Sequence, residues 1–207
     1  MENSAELTLS KGRLESFSDG VFAIAITLLI LEVHLPAMRL PASTQEQVRG
    51  LTVIWPQYLV YFVTFATIGI MWLNHHALLK NVRRVSHGIV LANLLLLSLI
   101  SFLPFPTEVL ARYGLTNVAV AYYGLTMTVI SISYNILLQQ AVAAHPGALN
   151  RVTLWTIAGL TFYPLATLIG WFAPVWGLAV MGLLALFYMQ QRNVSNVVLR
   201  VPADPQR

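Results

Sequence analysis

Polar side chains interrupt the first apolar stretch of the sequence. Arg13 precedes this stretch, Ser18 and Asp19 open it, and Glu32 ends it. A carboxylate inside a segment long enough to cross a bilayer must face protein or water and find a partner, because hydrocarbon offers no hydrogen bonds. Two kinds of chemistry are therefore available: interaction with a passing cation, or the fixing of one helix against its neighbours. The spacing of these residues is equally consistent with an ordinary buried carboxylate that has no special function.

The same stretch carries a narrow stripe of residues spaced three or four apart. At 100° per residue, the stripe residues fall within about 40° of one line along a helix. Thr27 flanks the stripe at about 60°, whereas Ser18 and Asp19 fall on the far side of the helix. The stripe consists of Arg13, Phe17, Gly20, Ile24, Leu28 and Leu31. One face is therefore mostly apolar and the other holds a hydroxyl and a carboxylate, although ordinary helix packing produces similar stripes.

Other site chemistries find little support in the sequence. His75 and His76 are adjacent, and adjacent helical residues point about 100° apart, so the pair does not easily ligate one metal ion. The chain has no cysteine and no Gly-x-Ser-x-Gly turn of the kind that presents a serine nucleophile. We therefore predict neither an enzyme nor a bound cofactor.

The elements that must position these residues are membrane helices. The chain has 207 residues, of which 57% are hydrophobic and 10% charged, whereas a soluble domain is about 25% charged. A bilayer core about 30 Å thick needs roughly 20 helical residues. The Pro104-Phe-Pro106 run is expected to end the third span, and no structure is assigned to the connection between the first two. The sequence predicts an all-α membrane protein with a single domain, 1–207, and six spans at about 13–35, 55–79, 87–103, 117–142, 152–172 and 174–191.

Basic residues predict the orientation of these spans. With a cytoplasmic N-terminus, nine of the 12 Lys and Arg residues lie on the cytoplasmic side and three outside, which fits the positive-inside rule. We therefore expect a multi-pass protein of the plasma or inner membrane with both termini cytoplasmic. A signal peptide is the alternative for the first span, but Asp19 and Glu32 bracket its apolar core. The net charge of +4 comes without a basic stripe, so no nucleic-acid partner is expected.

The run Arg13-x-x-x-Phe17-Ser18-Asp19, with the apolar stretch that follows, resembles the signature of the endolysosomal potassium channel family, transmembrane protein 175 and its shorter prokaryotic relatives. Elsewhere the likeness rests mainly on Trp72-x-x-His75. The sequence has one copy of the motif, and in the family one-copy subunits tetramerise. The resemblance therefore implies a homotetramer of six-helix subunits with helix 1 lining a central pore and no re-entrant pore loop.

The resemblance also implies roles for the stripe. It assigns the pore constriction to Ile24, with Leu28 and Leu31 one and two turns outward, so that potassium ions pass near Ile24 and Thr27. Apolar rings of this kind can gate by dewetting. The Thr27 hydroxyl would replace part of an ion's hydration shell and contribute to selectivity. Glu32 stands either at the pore mouth, where it concentrates cations, or simply among the headgroups, and the stripe is equally consistent with a dry packing seam.

A structural polar network is the second implication of the resemblance. It would hold the first helix in place from the side away from the pore. His75 and His76 are alternatives within it, and Asn74, Asn93, Ser98 and Ser101 are further candidate partners. The motif residues assigned to the network are Arg13, Phe17, Ser18, Asp19, Trp72 and His75.

These features predict a passive potassium-selective cation channel whose partners are copies of itself and the lipid bilayer. A secondary transporter, possibly proton-coupled, is the alternative. It requires an ionisable group near the membrane midplane and a broken helix. Pro164 supplies a weak break, but Asp19 lies about 7.5 Å inward of Ile24 along the helix axis.

Overall fold

The computed structural model describes residues 10–37, 43–82, 84–143 and 153–189, and within them the chain forms helices and no strand. A 3-10 turn, Leu29–Glu32, extends the first helix. This agrees with the all-α class predicted from the sequence. The α-helices are α1 (Lys11–Leu28), α2 (Thr44–Val53), α3 (Trp55–Asn81), α4 (His87–Phe102), α5 (Pro104–Tyr113), α6 (Asn117–Ala143), α7 (Thr153–Phe172) and α8 (Pro174–Met189).

Several of these helices are long and apolar enough to cross a membrane. Among the described residues, four stretches meet that requirement: Lys11–Glu32, Trp55–Asn81, His87–Tyr113 and Asn117–Ala143. Two shorter apolar helical stretches, Gly159–Phe172 and Pro174–Tyr188, follow them. The chain is thus a multi-pass membrane protein, and the count of six crossings stays a prediction.

The helices pack around a core of aliphatic side chains. Helix α1 lies against α3 and α4, and α6 lies between α4 and the α7–α8 hairpin, which also contacts α3. The hairpin is tight because Gly170 and Gly177 bring the two backbones together, and a Cβ on Gly177 would collide with Gly170. The largest fully buried side chains include Leu14, Phe22, Ile68, Ile89, Leu96, Ile100, Met127 and Ile130.

The helix of the third predicted span ends where the sequence predicts, and a further helix follows it directly. Helix α4 ends at Phe102, and α5 begins at Pro104 after a single linking residue. Proline is tolerated in the first turn of a helix, because the N–H groups there have no intrahelical acceptor. The Pro104-Phe-Pro106 run therefore starts a new helix, α5, which ends at Tyr113, just before Gly114 with its φ of 67°.

Helix α2 occupies the connection to which the sequence analysis assigned no structure. The Ser43 hydroxyl accepts a hydrogen bond from the Glu46 backbone N–H at 3.3 Å, and the Glu46 carboxylate accepts one from the Ser43 backbone N–H at 2.8 Å. This reciprocal arrangement is a capping box. The hydrogen bonds from Ser43 lower the pKa of the Glu46 carboxyl. The Ser-x-x-Glu spacing was the sequence signal for this helix.

Candidate functional site

Helix α1 has one face buried by the other helices of the chain and one face left exposed. Ile24 and Leu31 are 61% and 64% exposed, and Leu28 and Phe17 are also exposed. The opposite side is closed by residues that recur every three or four positions, as expected for one face of a helix. These buried residues are Leu14, Ser18, Phe22 and Ala25 of α1 and Leu29 of the 3-10 turn.

The exposed face coincides with the stripe seen in the sequence. Gly20 lies on it, and a Cβ built on Gly20 would meet no atom within 4 Å. Because the face is apolar and lies in a candidate membrane span, lipid, another subunit or an apolar pore must lie against it. The described part of the subunit leaves this side of α1 open.

Thr27 is exposed beside this face. Its hydroxyl donates a hydrogen bond to the Ile24 carbonyl at 2.9 Å. That bond uses the hydroxyl hydrogen, so the oxygen keeps lone pairs that are able to face a cation.

At the far end of α1, the 3-10 turn carries Glu32, which is half-buried. Helix α5 packs against this turn and contributes Glu108 and Arg112, an ion pair with a nitrogen–oxygen distance of 2.6 Å. Glu32 interacts electrostatically with both. The His34 backbone N–H donates to the Gln57 side-chain oxygen at 2.8 Å, which ties the chain leaving α1 to the first turns of α3.

On the other side of α1, Asp19 is bonded to α3. The indole N–H of Trp72 donates to an Asp19 carboxylate oxygen at 2.7 Å. A hydrogen bond to an ionised acceptor is stronger than one between neutral groups. This contact joins the two helices about 7.5 Å along the axis from Ile24, at 1.5 Å per residue.

A second set of hydrogen bonds joins α1, α3 and α4 in the core. Asn93 donates through its side-chain nitrogen to the Ser18 hydroxyl at 3.0 Å, and its side-chain oxygen lies 2.6 Å from His75 Nε2. Ser18 in turn donates to the Leu14 carbonyl at 2.8 Å. Since the Asn93 oxygen only accepts, His75 Nε2 carries the hydrogen in this pair. The side chains of Ser18, His75 and Asn93 are all buried, and the Phe22 ring packs 5.2 Å from the His75 ring.

The motif assigns two further residues to this network, and their membership stays a prediction. Arg13 and Phe17 are exposed, whereas Ser18 and His75 are buried. The reason is the direction of Arg13 and Phe17, because both lie on the Ile24 side of α1.

Burial and hydrogen bonding distinguish the other residues that were candidates for this network. His75 is buried, whereas His76 is exposed and its ring lies 5.9 Å from that of Trp72. Asn74 donates to the Tyr188 carbonyl at 3.2 Å. Ser98 and Ser101 donate to carbonyls of their own helix, α4.

Replacing Asn93 with leucine is expected to destabilise the subunit. The change keeps the number and branching of the side-chain heavy atoms but leaves His75 and Ser18 without their partner, and an unsatisfied buried polar group costs about 1–3 kcal/mol. Thermal unfolding of the purified protein in detergent measures the loss. Ser98→Ala is the matched control, since Ser98 is exposed and bonds only to its own helix. If both variants melted at the wild-type temperature, the Asn93 contacts would not support α1.

The described residues contain no group of three or more His, Cys, Asp or Glu side chains arranged to hold a metal ion. The exposed face of α1 is therefore an apolar surface with one hydroxyl, that of Thr27, beside it. The opposite face of α1 is bonded to α3 and α4 by two sets of hydrogen bonds, Asp19–Trp72 and Ser18–Asn93–His75.

Comparison with known proteins points to one family. The family model described as endosomal/lysosomal potassium channel TMEM175 matches residues 13–104, the segment that holds the exposed α1 face and both polar contacts. A protein named potassium channel from Streptomyces collinus is 37% identical over 191 residues, which cover 86% of this chain and 90% of that protein. Another of that name from Chamaesiphon minutus is 43% identical over 136 residues, 64% of this chain and 66% of its own length.

Human and structural relatives agree with this. The human protein named endosomal/lysosomal proton channel TMEM175 is 30% identical over 177 residues, 78% of this chain but 35% of the human protein. A crystal structure of a lysosomal potassium-selective channel TMEM175 homolog from Chamaesiphon minutus superposes with a TM-score of 0.78 and 35% identity, covering 88% of this chain and 98% of that one.

Proposed function

This chain belongs to the TMEM175 family of channels, and we propose that it conducts potassium selectively through a central pore lined by α1 of four subunits. Membership of a channel family indicates transport rather than catalysis. In the proposed assembly both termini are cytoplasmic, in the plasma or inner membrane, and the pore has no re-entrant loop. The potassium ions are the transported substrate, and no further cofactor is invoked.

The observation that carries the proposal is the open apolar face of α1. One side of α1 is buried and the other is exposed, so another molecule must cover the exposed side. In a homo-oligomer, copies of the same chain usually do so by forming a closed symmetric ring. Four copies of α1 around an axis would turn Ile24, Leu28 and Leu31 into stacked rings over about 10 Å of pore.

The rings give a physical account of gating. Water leaves a narrow apolar passage because it loses hydrogen bonds there, so an empty constriction is a barrier to ions. Ile24 is the constriction in this account, and ions pass when its ring widens enough to wet. The Thr27 hydroxyl then replaces part of the lost hydration, and potassium sheds water more easily than sodium because it is the larger ion.

The two ends of α1 fit an ion path as well. Glu32 would stand at the outer mouth, where four carboxylates raise the local concentration of cations. Phe17 and Gly20 would lie on the cytoplasmic side of the constriction. The Asp19–Trp72 bond and the buried Ser18–Asn93–His75 contacts would keep α1 from turning about its axis, so that the same residues always face the pore.

A secondary transporter is the second candidate, and the position of Asp19 weighs against it. Coupled transporters place ionisable groups at a substrate site near the midplane. Asp19 instead accepts a hydrogen bond from Trp72 on the side of α1 away from Ile24.

We expect the purified protein to be a tetramer. One stripe-bearing helix per subunit cannot enclose a passage alone, so native mass spectrometry in detergent should give a mass close to four times the chain mass of 23.0 kDa. Monomers or dimers as the largest species, under conditions that preserve a known tetrameric channel, would contradict the proposed pore.

Potassium flux into proteoliposomes tests the function itself. With a potassium gradient and no second ion gradient, uptake should proceed at a rate that grows with the driving force and falls when sodium replaces potassium. Uptake that saturates with potassium and requires an opposing proton gradient would support the transporter instead.

A further inference from the structure

Helix α2 carries an apolar stripe that its own subunit leaves uncovered. Val48 and Leu51 are 55% and 52% exposed, and they fall within a sector about 60° wide around the helix. Trp55, one turn further along at the start of α3, is 63% exposed. An exposed apolar strip on a loop helix in water would be unfavourable, so it indicates contact with another phase or another molecule.

The stripe points away from the body of the subunit. The buried positions in this region are Gly50 and Ile54, and they lie about 120–160° around the helix from Val48. The Ser43–Glu46 capping box satisfies backbone groups at the N-terminus within the segment itself. Helix α2 therefore rests on the subunit by one edge and needs no other protein contact at its N-terminus.

The stripe is continuous with an exposed column on α3. Leu59 and Phe62 follow Trp55 at spacings of four and three, and both are exposed. The α3 residues bonded to α1 and its neighbours, Trp72 and His75, lie about 130° around α3 from this column. With α1 at the pore axis, the column points away from the axis, toward lipid.

Other aromatic residues mark the same level of the proposed membrane. Trp171 and Trp176 are exposed at the turn between α7 and α8, and with alternating spans that turn lies on the same side as the start of α3. Tryptophan is enriched where the hydrocarbon core meets the headgroups. Helix α2, joined to Trp55 through one linking residue, Ile54, thus lies at this boundary.

We propose that α2 is an interfacial helix that inserts Val48, Leu51 and Trp55 into the phospholipid headgroup layer of the leaflet opposite the termini. Glu46 and Arg49 lie on the other side of α2 and face water, with Arg49 close enough to the surface to reach lipid phosphates. Short amphipathic helices bind membranes in this way, with the apolar face at the acyl boundary. The inference rests on the topology of the proposed function but not on potassium conduction.

Spin labelling tests the proposal directly, because the chain has no cysteine and one introduced thiol is a unique site. Val48→Cys and Leu51→Cys are labelled with a nitroxide in vesicles of phosphatidylcholine and phosphatidylglycerol. Collision with oxygen, which concentrates in lipid, is compared with collision with a water-soluble nickel chelate. Val53→Cys is the matched control: it is the same residue type as Val48, 58% exposed, and about 140° away around α2.

Labels at Val48 and Leu51 should be relaxed mainly by oxygen, and the label at Val53 mainly by nickel. Nickel access at Val48 equal to that at Val53 would place the stripe in water and overturn the proposal. Labels shielded from both reagents would place it against a neighbouring subunit and also overturn it. Potassium flux measured on the same vesicles is a separate result, so failure of conduction and failure of membrane contact are distinguishable.

Discussion

Replacing Ile24 with asparagine is expected to raise basal potassium flux about tenfold or more. Ile24 is 61% exposed on the open face of α1, and in the proposed tetramer four copies form the narrowest apolar ring. Four amides there would hydrogen-bond water and keep the passage wet. A barrier lower by about 1.4 kcal/mol already raises a rate tenfold. Selectivity should fall at the same time, because ions in a wetted passage keep their hydration shells. Proteoliposome flux of potassium and of sodium measures both effects.

The direction of the side chain, rather than its chemistry, should decide the result. Ile30→Asn is the matched control, since Ile30 is also an exposed isoleucine, in the 3-10 turn that extends α1, and lies about 80–120° around the axis from Ile24. We expect it to leave flux near the wild-type value, and Ala23→Asn, about 100° from the stripe, to do the same. Leu28→Asn should have a smaller effect than Ile24→Asn. Equal effects at Ile24 and Ile30 would mean that α1 does not present this face to an ion path.

Replacing Asp19 with alanine is expected to prevent stable assembly rather than to change ion preference. The substitution leaves the Trp72 indole N–H without its acceptor in a part-buried contact, and the loss of such a partner costs about 1–3 kcal/mol. Because the Asp19–Trp72 bond fixes the orientation of α1 about its axis, its loss should appear as a smaller tetramer fraction and a lower unfolding temperature. Size-exclusion chromatography and thermal unfolding in detergent measure the two.

The pair itself can be isolated with a double-mutant cycle. Asp19→Ala, Trp72→Phe and the double variant should give a coupling energy of about 0.5–3 kcal/mol, as for residues in direct contact. Glu15→Ala is the control, because Glu15 is a half-buried carboxylate one turn away whose ion pair with Lys11 spans 3.8 Å. A stable Asp19→Ala tetramer with altered ion preference would instead place Asp19 in the pore.

Periodicity alone was enough to find the two faces of α1. A span with one carboxylate and a stripe at three-to-four spacing has few ways to pack, so the polar side was expected inside and the stripe outside. The motif and the periodicity differ over two residues. The motif grouped Arg13 and Phe17 with the polar network, whereas the periodicity put them on the Ile24 side of α1, and both are exposed.

The hydrogen-bond partners of Ser18 and His75 in the core were harder to predict than the two faces of α1. Asn93 was one of several polar residues on α4 that could have met Ser18, and the rotation of α4 decides among them. Its helix is apolar on every side, so its sequence does not show which side is buried. The same property makes His75 and His76 indistinguishable until α3 is packed against α1.

Local helix signals account for the two helices, α2 and α5, that the sequence analysis did not assign. The Ser43-x-x-Glu46 capping box was present in the sequence, yet a short loop in a membrane protein was assigned no structure. Pro104 follows the end of α4, as the sequence predicts, and it also begins α5, because proline is favoured at the first position of a helix. The proposed tetramer, in contrast, would depend on contacts between chains, which the sequence of one chain does not show.

Single-channel recording is the most direct test of the central claim that α1 of four subunits lines a potassium pore. The purified protein in a planar bilayer should give unitary current steps that reverse near the potassium equilibrium potential, and Ile24→Asn should lengthen the openings and shift the reversal potential toward that of an unselective pore. A smooth, saturating current without unitary steps in the wild type, or steps that Ile24→Asn leaves unchanged, would contradict it.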